Sequence, residues 1–337
     1  MTSFLMDSGK FSAQHIRMNH QNIIDRFNSY YESKGFVKHA PVSINSKMDP
    51  SVYLIGSTIS VLKPYLFAGE IPDRGFYLVQ RCIRTHNSRI LMKDGEFPKW
   101  ASYFQSIGTL SPVNRLNDVC REVWEFLHNE LEIASQDIMI RASAVDEDLL
   151  HFWRQLEDRP VIELDAFPRT YYRHRYGHEQ WTGRNINFAL RQQDGDRFED
   201  IGNLIVIEHI QGHEAGGVET AFGISTLLAR KFSLRHPIEA SLISTIIPFH
   251  LENTCKLSDA LAVVLHLVRE GIKPNASNTR GRILRAYLRG LSYLMKQNHY
   301  SPACIKKFAQ AYELEEYGSL TESGEHLFFY LVKGEQA

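Results

Sequence analysis

Asn203-Leu204-Ile205-Val206-Ile207-Glu208-His209-Ile210 is the run on which the fold turns. Aliphatic and β-branched residues dominate it, a Gly-rich bend at 212–217 closes it, and a helix follows from near Gly223, so it reads as the strongest strand of the chain. Upstream, short apolar runs at 36–37, 52–55, 76–79, 103–110 and 138–140 read as further strands. Between them, helical spacing predicts helices at 12–31, 116–132 and 146–156; the first has Ser12 as N-cap and Gly35 as its stop. Residues 167–191 are aromatic and basic and follow neither period. Downstream the pattern changes to long helices at 257–270 and 282–297, joined by a Pro/Asn/Ser turn. Strands mixed with helices, then helices alone, predict an α+β domain over 1–248 and a helical domain over 249–337.

Composition agrees with a folded chain. Of 337 residues 43% are hydrophobic and 23% charged, which excludes disordered and fibrous classes and suffices for a large core. No apolar run reaches the roughly 20 residues of a membrane span, and residues 1–10 lack the pattern of a signal peptide, so the expected location is cytoplasmic, with no membrane partner. Cys82, Cys120, Cys255 and Cys304 never form a C-x-x-C pair and read as buried thiols, not zinc ligands or disulfides. His209 and His213 are four apart but straddle a strand end and a bend, so no metal is expected there. The net charge of -1 conceals an asymmetry: residues 256–310 hold ten Lys/Arg against Asp259 and Glu270, an excess of +8 over a body of -9. A basic helical part beside an acidic body suits a polyanionic partner, although a solvated helix surface has the same composition.

Three groups of motifs then come into register. Asp49-Pro50-Ser51, Leu62-Lys63-Pro64-Tyr65 and Gln80-Arg81-Cys82-Ile83-Arg84 follow the opening helix. The strand from Asn203 is followed by Gly217-Val218-Glu219-Thr220-Ala221-Phe222-Gly223-Ile224. Gly271-Ile272-Lys273-Pro274 precedes Arg280-Gly281-Arg282-Ile283-Leu284-Arg285. In this order and spacing, over roughly residues 12–295, they resemble the catalytic core of alanyl-tRNA synthetase, a class II aminoacyl-tRNA synthetase. The resemblance implies a six- or seven-stranded antiparallel sheet flanked by helices, on which ATP, with Mg2+, and an amino acid form an aminoacyl-adenylate, in a core commonly paired as a homodimer.

The same resemblance assigns residues. Arg84 corresponds to the arginine at the α-phosphate, a role that suits a planar, permanently charged fork. Asn203 corresponds to the amide that binds the substrate carboxylate, and Glu219 stands where an aspartate holds the α-amino group. Phe104 matches an adenine-stacking aromatic, Glu208 a carboxylate or amide near ATP and magnesium, and Gly223 the glycine against the nucleotide. Arg280, Arg282, Arg285 and Arg289, at helical spacing, would meet an RNA acceptor stem.

The departures are as specific. Ser225-Thr226 stands where Glu-Arg is expected, so the cation for the far end of the triphosphate is missing, and Arg230, one turn on, is the candidate substitute. Lys99-Trp100-Ala101 replaces a basic group, Gln105-Ser106 an acid and Met, and the loop after Arg84 lacks Gly-Gly-Lys. The 337 residues hold no counterpart of the family's editing domain. These features predict activation of a small, alanine-like amino acid, with transfer to tRNA or to a carrier protein or metabolite. The alternative is a non-catalytic paralogue that binds amino acid, nucleotide or RNA.

Overall fold

A computed structural model describes residues 12–165, 169–177, 180–193, 195, 197–210, 216–247 and 252–335. The readings of residues 1–10 and of His213 lie outside the described residues. Helix α1 (Ala13–Ser33) opens on the expected cap: Ser12 Oγ accepts from the His15 amide, and Ile16, Ile23, Phe27 and Tyr31 are buried. Gly35, at φ +79°, turns the chain out of it. There follow β1 (Val37–Lys38), α2 (Ile59–Ala68), β2 (Phe76–Ile83), β3 (Tyr103–Pro112), α3 (Leu116–Glu125), β4 (Ile138–Ser143), α4 (His151–Arg154), β5 (Val161–Asp165), β6 (Arg173–Arg175), β7 (Trp181–Arg191), β8 (Phe198–His209), β9 (Gly216–Gly223) and α5 (Ile224–Lys231). Four helices close the described chain: α6 (Glu252–Arg269), α7 (Thr279–Gln297), α8 (Pro302–Tyr317) and α9 (Ser323–Glu335).

The strands form one nine-stranded sheet in the order β1-β2-β3-β9-β8-β7-β4-β5, with β6 paired to β7. Pairing is antiparallel from β2 through β4, as expected, while the edges add the short parallel pairs β1–β2 and β4–β5. The architecture is α+β, with the helical segments gathered after the sheet.

Four element readings change. Residues 52–55 are not a strand: the Ile55 amide bonds Ile44 O and its carbonyl accepts from Ile83, tying a loop to the end of β2. The helix expected at 116–132 ends at Glu125 and widens into a π turn, Phe126–Glu130. The helix expected at 146–156 splits into a 3₁₀ turn, Glu147–Leu150, and α4. The irregular stretch at 167–191 contains β6 and the long β7, whose alternate residues Gly183, Asn185 and Asn187 are polar or side-chain-free. That face is a site wall, and its polarity hides the strand period.

The two sheet faces are packed differently. Tyr77, Ile107, Ile186, Leu204, Val206, Val218 and Phe222 bury one face beneath α1, α3 and α5. The other is covered only in part, by α2 through Ile59, Leu62 and Leu66 against Leu78, Leu110, Ile205 and Ile207. A second core joins α6 to α9 with Ile44, Leu54, Ile83 and Tyr103 from the sheet portion. Among the described residues, no helix is long and apolar enough to cross a membrane, and no disulfide forms: Cys82, Cys120 and Cys255 are buried and Cys304 is half-buried.

Candidate active site

The uncovered part of the second face is a cavity of about 270 Å³. Its floor follows from strand register. Gly108 of β3, Ala221 of β9, Asn203 of β8 and Asn187 of β7 are successive partners in one row across the sheet. Ala221 leaves space, and the amides make the floor polar. At Gly108 the missing side chain admits Thr58 instead, since a Cβ there would lie 2.4 Å from Thr58 Oγ1 and 2.6 Å from Thr220 O.

Arg84, just past the end of β2, stands at the rim. Its Nε donates to Gly56 O at 3.0 Å, and its guanidinium lies 5.1 Å from the centre of the Phe104 ring. The terminal nitrogens make no hydrogen bond among the described residues, so the charged fork is held by its stem and presented by its tip. Phe104, Asn203 and Gly223 line the same cavity with Arg84. A Cβ on Gly223 would meet Thr226 Oγ1 at 3.4 Å and the Phe104 ring at 3.5 Å; its φ of -80° is ordinary, so the glycine keeps a wall open. Thr226 lines the cavity at the position where a cation was missing from the sequence.

Glu219 lies on the same face as Ala221, two residues deeper, between Leu110 and Ile205. It is 3% exposed, and its Oε2 has no hydrogen-bond partner. Burial pushes its carboxyl from the ordinary 4.5 up to about 7, against the pull of Arg84 and Lys63. The Tyr176 hydroxyl, also buried, stands beside it without closing a well-formed hydrogen bond. Lys63 braces this corner: its Nζ lies 2.6 Å from Asp49 Oδ2 and 3.0 Å from both Ser51 Oγ and Tyr176 O. The 49–51 turn and the 62–65 segment therefore act together as a support beneath Glu219.

Three expected residues do not line the cavity: Glu219, buried behind it, and two that are placed elsewhere. Glu208 is on the opposite face from Asn203, because five strand steps reverse the side chain, and it grips Arg184 through bonds of 2.9 and 2.8 Å. Arg230 is buried on α5 and held by Glu199 at 2.5 Å; it does not line the cavity, and its charge is already neutralised. Arg84 is the sole Lys or Arg among the lining residues. The lining carboxylate, Asp200, is paired with Arg141 at 3.1 Å. Among the described residues no group of three His, Cys, Asp or Glu converges.

Sequence reading missed Trp100, His174, Asn185 and Asn187, which also line the cavity. Trp100 is carried by the segment that replaced a basic group. Gln105, adjacent to Phe104 in β3, turns to the other face and donates to Glu316 of α8 at 2.6 Å. On α7, Arg282, Arg285 and Arg289 are exposed along one side, while Arg280 is turned inward to donate to Tyr53 O at 2.6 Å.

No family model matches the chain. It is 22% identical over 306 residues to the alanine-tRNA ligase of Acetivibrio thermocellus, a match covering 79% of this chain and 34% of that protein. To the alanine-tRNA ligase of Caldicellulosiruptor saccharolyticus it is 28% identical over 141 residues, 41% of this chain and 16% of that one. The chain carries an alanyl-tRNA synthetase-like class II core. It spans about a third of the length of the first of these relatives. Among solved structures, asparaginyl-tRNA synthetase of Entamoeba histolytica aligns at a TM-score of 0.42 and 10% identity, over 68% of this chain and 66% of that chain. The cavity, with Arg84 at its rim, lies on the partly covered face of the sheet.

Proposed function

We propose that the protein activates a small amino acid with ATP as an aminoacyl-adenylate and passes it to an acceptor. The observation that carries this reading is the free guanidinium tip of Arg84 at the rim of a cavity lined by the amides Asn185, Asn187 and Asn203, with Glu219 buried behind the lining and its Oε2 unbonded. In the adenylating step the substrate carboxylate attacks the α-phosphorus and pyrophosphate leaves. Arg84 neutralises the α-phosphate oxygens as the fifth bond forms. Asn203 orients the attacking carboxylate, Glu219 as carboxylate holds the ammonium through the otherwise idle Oε2, and adenine stacks on the exposed side of Phe104.

The acceptor follows from charge. Arg282, Arg285 and Arg289 form an exposed basic stripe on α7 that suits tRNA, with a carrier protein or metabolite as the other acceptor class. Pyrophosphate exchange dependent on amino acid tests activation directly; Arg84→Ala should lower it about a hundredfold or more while the protein stays folded. Exchange with no amino acid at all would overturn the reading. A second reading, a non-catalytic binder of amino acid, nucleotide or RNA, draws on the neutralised Arg230 and on Thr226, which leave Arg84 as the one Lys or Arg among the described lining residues.

A further inference from the structure

The polar end of the cavity is wired as a chain of hydrogen bonds. His174 Nε2 lies 3.0 Å from Asn185 Oδ1, and Asn185 Nδ2 donates to Asn187 Oδ1 at 2.7 Å. Asn185 is 2% and Asn187 9% exposed, so both amides are built into the site and not laid on a surface. Because an oxygen faces Nε2, the histidine proton sits there, and burial holds the ring neutral. The chain runs from His174 through Asn185 and ends on the Asn187 amide nitrogen, which makes no further bond among the described residues. Asn187 is the direct cross-strand partner of Asn203, the amide assigned to the substrate carboxylate. A group bound at Asn203 therefore has the Asn187 amide beside it.

Resting on the adenylate reading above, we propose that this relay selects an amino acid whose side chain carries a neutral oxygen, a hydroxyl or a carboxamide, in preference to alanine. Asn187 is the binding residue; Asn185 and His174 position it. A methyl group in this place leaves the end of the chain of bonds unpaired and desolvated. A hydroxyl or carboxamide oxygen accepts from the Asn187 amide nitrogen and so closes the chain. A side-chain carboxylate is disfavoured, since Arg84 is the sole Lys or Arg in the lining and is engaged by phosphate.

The test is calorimetric binding of seryl-, asparaginyl-, aspartyl- and alanyl-sulfamoyl adenosine to the full chain, beside exchange assays with the free amino acids. The seryl or asparaginyl compound should bind about tenfold or more tighter than the alanyl one, as for sites built to hydrogen-bond their substrate. Asn187→Leu should collapse that preference to about twofold or less. His174→Phe should do the same, and His174→Gln, which keeps a donor for Asn185, should retain it. Equal or tighter binding of the alanyl or aspartyl compound by the unmodified protein overturns the proposal without any variant. Absent exchange with a preserved seryl or asparaginyl preference would overturn the activation reading alone and uphold the inference.

Discussion

Glu219 is the residue on which the chemistry and the stability meet. Its carboxyl is raised to about 7 in the fold, from an ordinary 4.5, by burial. Folding therefore favours the protonated form: the stability it contributes is full below about pH 4.5 and is lost as pH rises through about 7. Thermal melts at pH 5, 6, 7 and 8 should show the protein losing on the order of a few kcal/mol relative to Glu219→Gln across that window. A pH-independent difference would show that the carboxyl is not buried as described. An ammonium ligand demands the ionised form, so amino-acid affinity should rise with pH up to about 7 and level off above it. At Arg84 the sequence motif named a residue that the fold places at the cavity rim; at Glu219 it named the residue but not the idle oxygen. His174, Asn185 and Asn187 carried no signal, because two Asn at spacing two and a His eleven residues upstream are unremarkable until β6 and β7 pair.

Among the elements, α6 matters most to the site despite contributing no lining residue. Asp259, 1% exposed within it, accepts from the Ser102 amide and Ser102 Oγ at 2.6 Å each and from Asn87 Nδ2 at 2.9 Å. Asn87 in turn donates to Trp100 O at 2.7 Å. One carboxylate thus fixes both the loop after Arg84 and the segment that carries Trp100. Asp259→Ala leaves these donors buried and unpaired, and should cost about 3 kcal/mol in denaturant unfolding. It should also weaken adenylate-analogue binding, although Asp259 touches no ligand. An unchanged midpoint would mean the pin is dispensable. Residues 85–89 and 99–101 read in sequence as lost motifs; in the fold they are an alternative anchorage, and only contacts 157 to 172 residues apart reveal it.

At the scale of the molecule, a second buried acid locks the helical part to the back of the sheet. Glu316 of α8 accepts from Arg81 at 2.9 Å, from Gln105 at 2.6 Å and from the Tyr103 hydroxyl. His266 of α6 stacks on Tyr103 with ring centres 3.6 Å apart. The basic stripe of α7 is thereby held in fixed relation to the cavity. Replacing Arg282, Arg285 and Arg289 together by Gln should leave melting unchanged, weaken tRNA binding, and lower the slope of log affinity against log salt by up to about three. An unaltered slope would show that the stripe is only solvated surface.

The strand from Asn203, the capped first helix, the basic tail and the family likeness were set by local sequence, through side-chain period, turn residues and motif spacing. Those signals act over a few residues and survive without a fold around them. Which partner neutralises a charge was decided by tertiary structure alone. Glu208 gives its charge to Arg184 on the neighbouring strand, and Arg230 gives its own to Glu199 across the chain. Strand pairing also built the amide row, because register between β7, β8 and β9 brings together residues that sequence keeps apart.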